Sequence, residues 1–306
     1  KVDMITVDID EENQELIGII DLFGLRVSKH LAQCFGECRI NNHYRSSLKD
    51  IFDNFPNGQD VFIFEDDLIV SSDVFYYFSS LLHIYHTDTS IFCISAWNDQ
   101  AYSHSVRDLT MLYRVQFMPG LGLVLSRDII NKLIPIWPSM IKMNWDAWLR
   151  ESIIKNRVCI IPDASRTFHI GKFGLHSSPA FQIEYFNRRF FQSLINVKIN
   201  YKDLSKIEYN HLVDYLASHS KTALDSSSIC NVADEYHTQD LIANSLSKEQ
   251  LANITEKVFL YAKDGMNHVT VFKKLFKCFR IWDLDLRGMN NNYFRVWLKN
   301  IHYLVI

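Results

Sequence analysis

The sequence predicts an α/β fold in which helices cover both faces of a mainly parallel sheet, followed by a smaller α+β unit. Strand-like and helical segments alternate through roughly the first 190 residues, a rhythm typical of βαβ units. The run Val61–Phe64 is apolar at every position, as in a strand that is buried on both faces. A polar, serine-rich stretch at residues 219–240 predicts a linker or long loop. We therefore expect two domains, residues 1–198 and residues 199–306.

Apolar runs and alternating apolar positions predict the strands in chain order. Strand-like segments lie at residues 4–10, 61–64, 90–97, 113–118, 158–163, 257–263 and 293–306. Apolar residues at helical spacing predict the helices. The helical segments lie at residues 43–55, 71–85, 126–133, 144–155 and 271–279. Ser126 is expected to begin the third of these helices, and Asn144 stands where the N-cap of the fourth is expected.

Composition argues against two broad classes of protein. The formal net charge is −3, and no run of basic residues resembles a nucleic-acid-binding surface. No stretch approaches the roughly 18 apolar residues of a membrane-spanning helix, so we expect any membrane attachment to be through an anchor absent from this chain. Because the chain opens on a strand-like segment and not on a signal peptide, we expect a fragment or a processed form.

Six cysteines bear on disulfides and metal binding: Cys34, Cys38, Cys93, Cys159, Cys230 and Cys278. Their even number permits three disulfides without requiring them. Cys34 and Cys38 could bind a metal at their CxxxC spacing, but no further Cys or His pair completes a zinc site. A sequon that begins at Asn253 would carry a glycan only in a secretory compartment.

Three carboxylates, Glu65, Asp66 and Asp67, follow directly after the apolar run Val61–Phe64. In open α/β sheets, ligands bind at the carboxyl ends of the strands, which is where these side chains are predicted. Adjacent negative charges repel one another, so a cation or hydrogen-bond donors would stabilise them. The alternative is a solvated acidic turn. Further segments rich in Trp, Asp or Gly, or ending in a charged cluster, lie at 95–99, 119–122, 144–150, 159–167 and 282–287.

Taken in this order, these segments resemble glycosyltransferase family 13, the inverting β-1,2-N-acetylglucosaminyltransferases, over most of the chain. Residues 159–171 and 277–288 are most similar to the members that act on O-linked mannose, whereas N-glycan-directed members share 95–99, 119–122 and the three carboxylates. The resemblance implies a GT-A, Rossmann-like nucleotide-sugar transferase domain. It also implies transfer of GlcNAc from UDP-GlcNAc to the 2-hydroxyl of O-linked mannose on a glycoprotein, with Mn²⁺ as cofactor, in the Golgi lumen.

The resemblance further implies roles for individual residues. Asp67 would ligate Mn²⁺, while Glu65 and Asp66 would hold the waters of the metal and the ribose or base of the nucleotide. Asp146 would be the general base that accepts the proton of the mannose 2-hydroxyl. The remaining implied positions are His43 at the nucleotide, Arg166 at a phosphate or the acidic cluster, Trp282 and Arg287 at the acceptor, and a mobile lid over residues 168–181. Trp145 offers a further face on which a sugar could stack.

These roles have structural alternatives. Asp146 would be favoured in the first turn of a helix by the helix dipole, whatever its chemistry. Arg166 could simply pair with a surface carboxylate, and His43 could be a surface or capping residue. A tryptophan such as Trp145 more often packs in a core.

Departures from the family pattern leave other functions open. Leu123 replaces a tryptophan, Asn144 stands where a second carboxylate is expected, and Pro179 interrupts the lid. The family's first strand, which contributes to the uracil contact, is absent, so we expect this 306-residue chain to bind UDP-GlcNAc weakly or not at all. The alternatives are transfer to the mannose of an N-glycan and a catalytically inactive, glycan-binding pseudoenzyme.

The resemblance also implies disulfides between Cys93 and Cys159 and between Cys230 and Cys278, and it leaves Cys34 and Cys38 open. The first bridge would close a loop of 67 residues, counting both ends, which is worth roughly 4 kcal/mol in the chain-entropy model. Sulfur atoms much farther apart than about 2.05 Å in an oxidised sample would contradict this pairing.

Overall fold

The computed structural model describes residues 6–9, 13–138, 144–195, 197–219, 257–259, 268–298 and 301–305. The chain forms two compact units. Unit 1 contains Lys1–Ile63 and Val124–Lys155, and unit 2 contains Phe64–Leu123 and Asn156–Ile306. Each unit is therefore built from two separate stretches of sequence. The predicted domain boundary after residue 198 stays a prediction.

The described residues form thirteen strands, numbered β1 to β13 in chain order. They are β1 Thr6–Ile9, β2 Arg26–Lys29, β3 Asp60–Ile63, β4 Leu68–Val70, β5 Ile91–Ser95, β6 Leu112–Val115, β7 Leu123–Ser126, β8 Val158–Pro162, β9 Thr167–His169, β10 Lys257–Phe259, β11 Met289–Asn290, β12 Tyr293–Leu298 and β13 Ile301–Val305. Each strand-like segment of the sequence coincides with at least one of them, whereas β2, β4, β7, β9 and β11 were not predicted.

The same residues form eight α-helices: α1 Gln14–Leu22, α2 Glu37–Asn54, α3 Val74–Thr87, α4 Arg127–Leu133, α5 Trp145–Leu149, α6 Pro179–Phe181, α7 Lys206–His219 and α8 His268–Cys278. π-Helical turns extend α5 through Ile154 and α6 through Phe186. Ser126 caps α4, and Asn144 occupies the N-cap position of α5, as predicted. None of the helices in the described ranges has the length and apolar content needed to cross a bilayer.

Unit 1 contains the long helix α2, which buries Leu48 and Phe52. The short strands β1 and β2 pair in parallel. Ahead of α2, Cys34 and Cys38 form a disulfide whose Cα atoms are 5.8 Å apart. These two sulfur atoms are bonded to each other, so they are not available to ligate a metal at the CxxxC spacing.

Unit 2 contains a mixed sheet. β5 pairs in parallel with β8, whereas β6 runs antiparallel to β8, and every residue of these three strands is buried. The expectation of a mainly parallel sheet is corrected at β6, because an apolar pattern reports which faces are covered and not the strand direction. Cys93 and Cys159 are register partners and form the disulfide that the resemblance implied. Cys278 is also disulfide-bonded, and its expected partner, Cys230, lies outside the described residues.

The last described part of unit 2 combines a helix with strands. β12 and β13 form an antiparallel pair, β10 is parallel to β13, and β11 is antiparallel to β12. Beside them, α8 contributes Phe272 and Phe276 to a buried cluster that also contains Phe294 and Tyr303. The status of this region as a separate domain stays a prediction. The predicted loop at 219–240 lies, apart from its first residue, outside the described part of the chain.

A close approach at Gly122 predicts a large effect on stability. Gly122 has a φ of +90°, and a Cβ there would lie 2.8 Å from Thr167 Cγ2 and 3.4 Å from the Cβ of Ala96. We expect Gly122→Ala to lower the free energy of unfolding by about 2–4 kcal/mol, because backbone strain and overpacking add. Urea denaturation measures this loss.

Gly120→Ala is the matched control in the same loop. Gly120 has no left-handed φ, and no atom lies within 4 Å of the methyl group that the substitution would add. The free energy of unfolding should change by less than about 0.5 kcal/mol. Equal losses for the two variants would show that the close packing at Gly122 is not the cause.

Candidate active site

The three consecutive carboxylates form a turn at the carboxyl end of β3, as predicted. The turn closes where the Leu68 amide donates to the Glu65 carbonyl at 3.3 Å. β3 is only half-buried, not covered on both faces, because it is an edge strand. Asp66 is exposed, whereas the Oδ1 oxygen of Asp67 is buried. The solvated-turn alternative therefore describes Asp66 but does not describe Asp67.

The antiparallel pair of β4 and β9 places His169 beside Asp67. Leu68 is the register partner of His169, and the Ile170 amide donates to the Asp67 carbonyl at 2.9 Å. Next to this ladder, His169 Nε2 lies 3.0 Å from Asp67 Oδ2. Two residues that are distant in sequence thereby share one site.

Gln182, just after the predicted lid, holds the other side of the His169 ring. Its Oε1 lies 3.0 Å from His169 Nδ1, and its amide nitrogen donates to the His169 carbonyl at 2.7 Å and to Asn187 Oδ1 at 3.2 Å. The Phe186 ring packs against the imidazole with a centroid separation of 4.5 Å. The orientation of the imidazole is therefore fixed from several sides.

Asp67 has the features of a cation ligand. Its Oδ1 is buried and has no hydrogen-bond partner among the described residues. Burial by itself lowers the pKa of His169, but the hydrogen bond and charge of Asp67, followed by Gln182 and Glu65, raise that pKa above its ordinary value. The site therefore favours positive charge, and a carboxylate oxygen is a suitable ligand for a hard divalent cation.

The protein would supply only part of the coordination shell of such a cation. Within the described ranges, no group of three or more His, Cys, Asp or Glu side chains could hold a metal by itself. Divalent cations in nucleotide sites commonly take one or two protein ligands and complete the shell with phosphate and water oxygens. The donor set around Asp67 fits that pattern.

Because Gly171 has no side chain, the Asp67 carboxylate can lie close to its backbone. A Cβ at Gly171 would lie 2.2 Å from Asp67 Oδ2 and 3.1 Å from His169 Cε1. We expect Gly171→Ala to displace the carboxylate and to weaken Mn²⁺ binding in the presence of UDP at least about tenfold. Titration calorimetry measures this affinity.

Gly174→Ala is the matched control from the same loop, because an added Cβ there meets nothing within 4 Å. Neither glycine has a left-handed φ, so backbone strain does not distinguish the two variants. We expect Gly174→Ala to bind Mn²⁺ and UDP as the unsubstituted chain does. Equal affinities for the two variants would contradict the importance of the space at Gly171.

The predicted lid over residues 168–181 carries exposed apolar side chains, with Phe173 84% and Leu175 56% exposed. Pro179 occupies the first position of α6, and Ser178 is the N-cap. Proline is compatible with this position because the amide of the first helical residue needs no helical partner. Pro179 therefore begins a short helix in this segment. Movement of the segment stays a prediction.

Arg166 is fully buried and has internal partners. Its Nε lies 3.3 Å from Asp73 Oδ2, and its terminal nitrogens donate to the carbonyls of Ala164 and Leu109 at 3.1 and 3.0 Å. Asp73 is itself buried, so the alternative of a surface carboxylate also does not apply. The expected contact of Arg166 with a phosphate or the acidic cluster is corrected, because a buried guanidinium requires partners of this kind.

Asp146, in unit 1, lies in the first turn of α5, where the helix dipole favours a carboxylate. Its Oδ2 pairs with Arg150 one turn later, and its Oδ1 accepts from the Ala147 amide at 2.8 Å. With its amide nitrogen facing Glu37, Asn144 donates to both carboxylate oxygens at 2.6 and 2.8 Å. An aspartate at position 144 would repel Glu37. The contact with Glu37 therefore explains why an asparagine stands where the family pattern has a second carboxylate.

Trp145 is only 5% exposed and stacks on Tyr44 with a centroid separation of 4.0 Å. Its ring also lies nearly parallel to that of Trp137. The expectation that Trp145 stacks on a sugar is corrected, since its surface is used in packing.

His43, on α2, lies edge-on to His30 with centroids 5.4 Å apart, and its contact with the nucleotide stays a prediction.

Two of the Trp- and Asp-rich segments meet in unit 2. Arg287 pairs with Asp99 at 2.8 Å and with Asp285 at 2.7 Å, and its guanidinium lies 4.0 Å from the centroid of the Trp282 ring. Burial by itself lowers the pKa of Arg287, but Asp99 and Asp285 raise it above its ordinary value. Because Trp282 is only 4% exposed, its predicted stacking on an acceptor would require the ring to be uncovered.

Two residues of this site were not predicted to be functional. His169 is the second residue of the segment that was expected to form the lid and Gln182 directly follows that segment, and these positions are the only signal the sequence offers for them. The pairing that brings His169 to Asp67 joins two strands of three residues each. Segments this short carry too little periodicity to predict a strand.

Comparisons with known proteins bear on this site. A family model described as the GNT-I family matches residues 15–275. Over 137 residues the chain is 36% identical to the alpha-1,3-mannosyl-glycoprotein 2-beta-N-acetylglucosaminyltransferase of Arabidopsis thaliana. This match covers 44% of this chain and 30% of the relative. The matched part is thus less than a third of the relative's length. The crystal structure of A197 from STIV aligns with 64% of this chain and 95% of its own at 11% identity, and its TM-score of 0.36 is too low to indicate a shared fold.

Proposed function

The chain belongs to the GNT-I family, and from this we propose that it transfers GlcNAc from UDP-GlcNAc to a mannose residue of a glycoprotein in β-1,2 linkage. The observation that carries the proposal is the placement of Asp67 beside His169, with a buried carboxylate oxygen that has no hydrogen-bond partner among the described residues. The name of the Arabidopsis relative describes transfer of this kind to an α-1,3-mannosyl glycoprotein.

On the donor side, Asp67 would hold a divalent cation, which we propose to be Mn²⁺. When bound, Mn²⁺ would offset the negative charge that develops on the departing diphosphate. Glu65 and Asp66 would hold its water ligands and the ribose or base of the nucleotide, and His43 would contact the nucleotide. The exposure of Asp66 is compatible with a contact through water.

Asp146 would act as the general base. It would accept the proton of the mannose 2-hydroxyl while that oxygen forms a bond to the anomeric carbon of GlcNAc. The bond from that carbon to the diphosphate oxygen breaks at the same time, and UDP leaves. Attack on the face opposite the leaving group inverts the configuration, so an α-linked donor gives a β-linked product. The pairing with Arg150 would orient the carboxylate.

We propose O-linked mannose on protein as the acceptor, because residues 277–288 resemble the family members that act on it. Trp282 and Arg287 from this segment would contact the acceptor once the tryptophan ring is uncovered. The competing acceptor is the mannose of an N-glycan; the name of the Arabidopsis relative specifies an alpha-1,3-mannosyl glycoprotein and no O-linked mannose. The disulfides Cys34–Cys38 and Cys93–Cys159 support an oxidising compartment, for which we propose the Golgi lumen.

A transfer assay with UDP-GlcNAc and Mn²⁺ tests the acceptor. We expect GlcNAc to be transferred faster to an O-mannosyl peptide than to an N-glycan with a terminal α-1,3-linked mannose. The Asp67→Asn variant provides the inactive control. Faster transfer to the N-glycan would replace the proposed acceptor, and transfer to neither would favour an inactive, glycan-binding protein.

A further inference from the structure

We propose that His169 is a second protein ligand of the cation bound at Asp67, and that Gln182 selects the imidazole tautomer that allows this. The inference rests on the proposed function, because it requires a divalent cation at Asp67. It goes further by assigning a nitrogen ligand to a site otherwise built from carboxylate, phosphate and water oxygens.

The hydrogen bonds of Gln182 determine which imidazole nitrogen carries a proton. The amide nitrogen of Gln182 donates to the His169 carbonyl at 2.7 Å and to Asn187 Oδ1 at 3.2 Å. Its carbonyl oxygen Oε1 therefore faces His169 Nδ1, at 3.0 Å. A carbonyl oxygen can only accept, so Nδ1 must donate. In the neutral ring, Nε2 then carries a lone pair, which is the form in which histidine ligates metals.

The position of Nε2 suits a cation shared with Asp67. His169 Nε2 and Asp67 Oδ2 lie 3.0 Å apart. Adjacent ligand atoms around an octahedral divalent cation are also about 3 Å apart when each metal–ligand bond is about 2.1 Å long. The two protein atoms therefore need little rearrangement to bind one cation.

The surroundings favour a ligand site over a purely structural ion pair. An ion pair between His169 and Asp67 would use Oδ2 alone and gives no reason for the buried Oδ1, which has no hydrogen-bond partner among the described residues. Gly171 has no side chain at a place where a Cβ would collide with Asp67 Oδ2 and contact His169 Cε1. Phe186 packs on the imidazole and limits its rotation. A bound cation accounts for the unbonded oxygen, and the missing side chain at Gly171 gives the Asp67 carboxylate room to lie beside His169.

Pulsed EPR of the full chain with Mn²⁺ and UDP tests this proposal without any substitution. Direct ligation by an imidazole gives a ¹⁴N coupling to Mn²⁺, which is replaced by a ¹⁵N coupling when the protein contains ¹⁵N-labelled histidine. His169→Gln should abolish the coupling and weaken Mn²⁺ binding in the presence of UDP at least about tenfold. His83→Gln, on an exposed position of α3, is the matched control and should change neither property.

The outcomes separate this inference from the proposed function. Bound Mn²⁺ without a histidine coupling would overturn the role of His169 and leave the proposed function standing. Failure of the protein to retain Mn²⁺ in the presence of UDP would overturn both.

Gln182 has its own test as a positioning residue. Gln182→Met removes the acceptor at Nδ1 and should lower the affinity for Mn²⁺ by about 10- to 100-fold in the presence of UDP. Gln182→Glu keeps an acceptor there and should retain more of that affinity. Equal affinities for the two variants, with the histidine coupling intact in both, would contradict the role of Gln182.

Discussion

Replacing Asp67 with asparagine is expected to abolish Mn²⁺-dependent binding of UDP-GlcNAc. The substitution preserves the size of the side chain but removes its charge and places an amide nitrogen where one oxygen stood. One carboxylate oxygen is buried and the other faces His169, so neither position can be replaced freely by solvent. We expect the affinity to fall at least about 100-fold, or about 2.7 kcal/mol. Titration calorimetry with and without Mn²⁺ measures the loss.

Asp66→Asn provides the comparison for this prediction, because Asp66 is the exposed neighbour in the same turn. We expect its replacement to weaken binding by less than about tenfold, since an exposed charge contributes little through solvent. Small and equal effects of the two substitutions would support a solvated acidic turn and contradict the proposed role of Asp67. Thermal denaturation of both variants checks that each is folded.

Asp146→Asn is expected to suppress transfer by about 10²- to 10⁴-fold, the usual contribution of a general base, while donor binding is unchanged. The stability of the protein should fall by no more than about 0.5 kcal/mol, because the pair with Arg150 is a partly exposed i,i+4 ion pair. Turnover under saturating donor and acceptor, together with urea denaturation, separates the catalytic role from the structural one.

Glu151→Gln is the matched control for Asp146→Asn. Glu151 is an exposed carboxylate on the turn that continues α5, and its replacement should leave transfer and stability near the values of the unsubstituted chain. Normal turnover by Asp146→Asn would remove Asp146 from the mechanism and leave only its favourable position in the first helical turn.

Local pattern predicts much of the fold. β5 and β8 are apolar throughout because they are buried, and this signal does not depend on their neighbours. The start of α4 follows from the capping hydroxyl of Ser126. Among the site residues, the pattern drew attention to Glu65, Asp66 and Asp67 because three adjacent carboxylates after an apolar strand are costly without a ligand or donors, and the family resemblance singled out Asp67.

The missing parts of the fold depend on information that a local pattern lacks. The direction of β6 is set by its partner, and the first turns of α2, from Glu37 onward, are too polar to show an apolar stripe. α7 was also not predicted, although Tyr209, Val213 and Leu216 lie at helical spacing. Its polar surroundings obscured that pattern.

In the candidate site, too, some residues are predicted by the sequence and others depend on contacts that form only in the folded chain. His169 reaches Asp67 only through the pairing of β4 with β9, which the sequence does not reveal. Arg166 was placed at a phosphate or the acidic cluster by the family resemblance, and Trp145 was placed at a sugar because its aromatic face suits stacking. Their buried partners, Asp73 and Tyr44, are visible only in the folded chain.

The structure of the transfer product provides the most direct test of the proposed activity. The chain would be incubated with Mn²⁺, an O-mannosyl peptide and enough UDP-GlcNAc to saturate even a weak donor site, and the product would be examined by NMR. We expect GlcNAc attached to O2 of mannose in the β configuration. An α-linked product, or no transfer by a chain that binds both Mn²⁺ and UDP-GlcNAc, would contradict a single inverting displacement at this site.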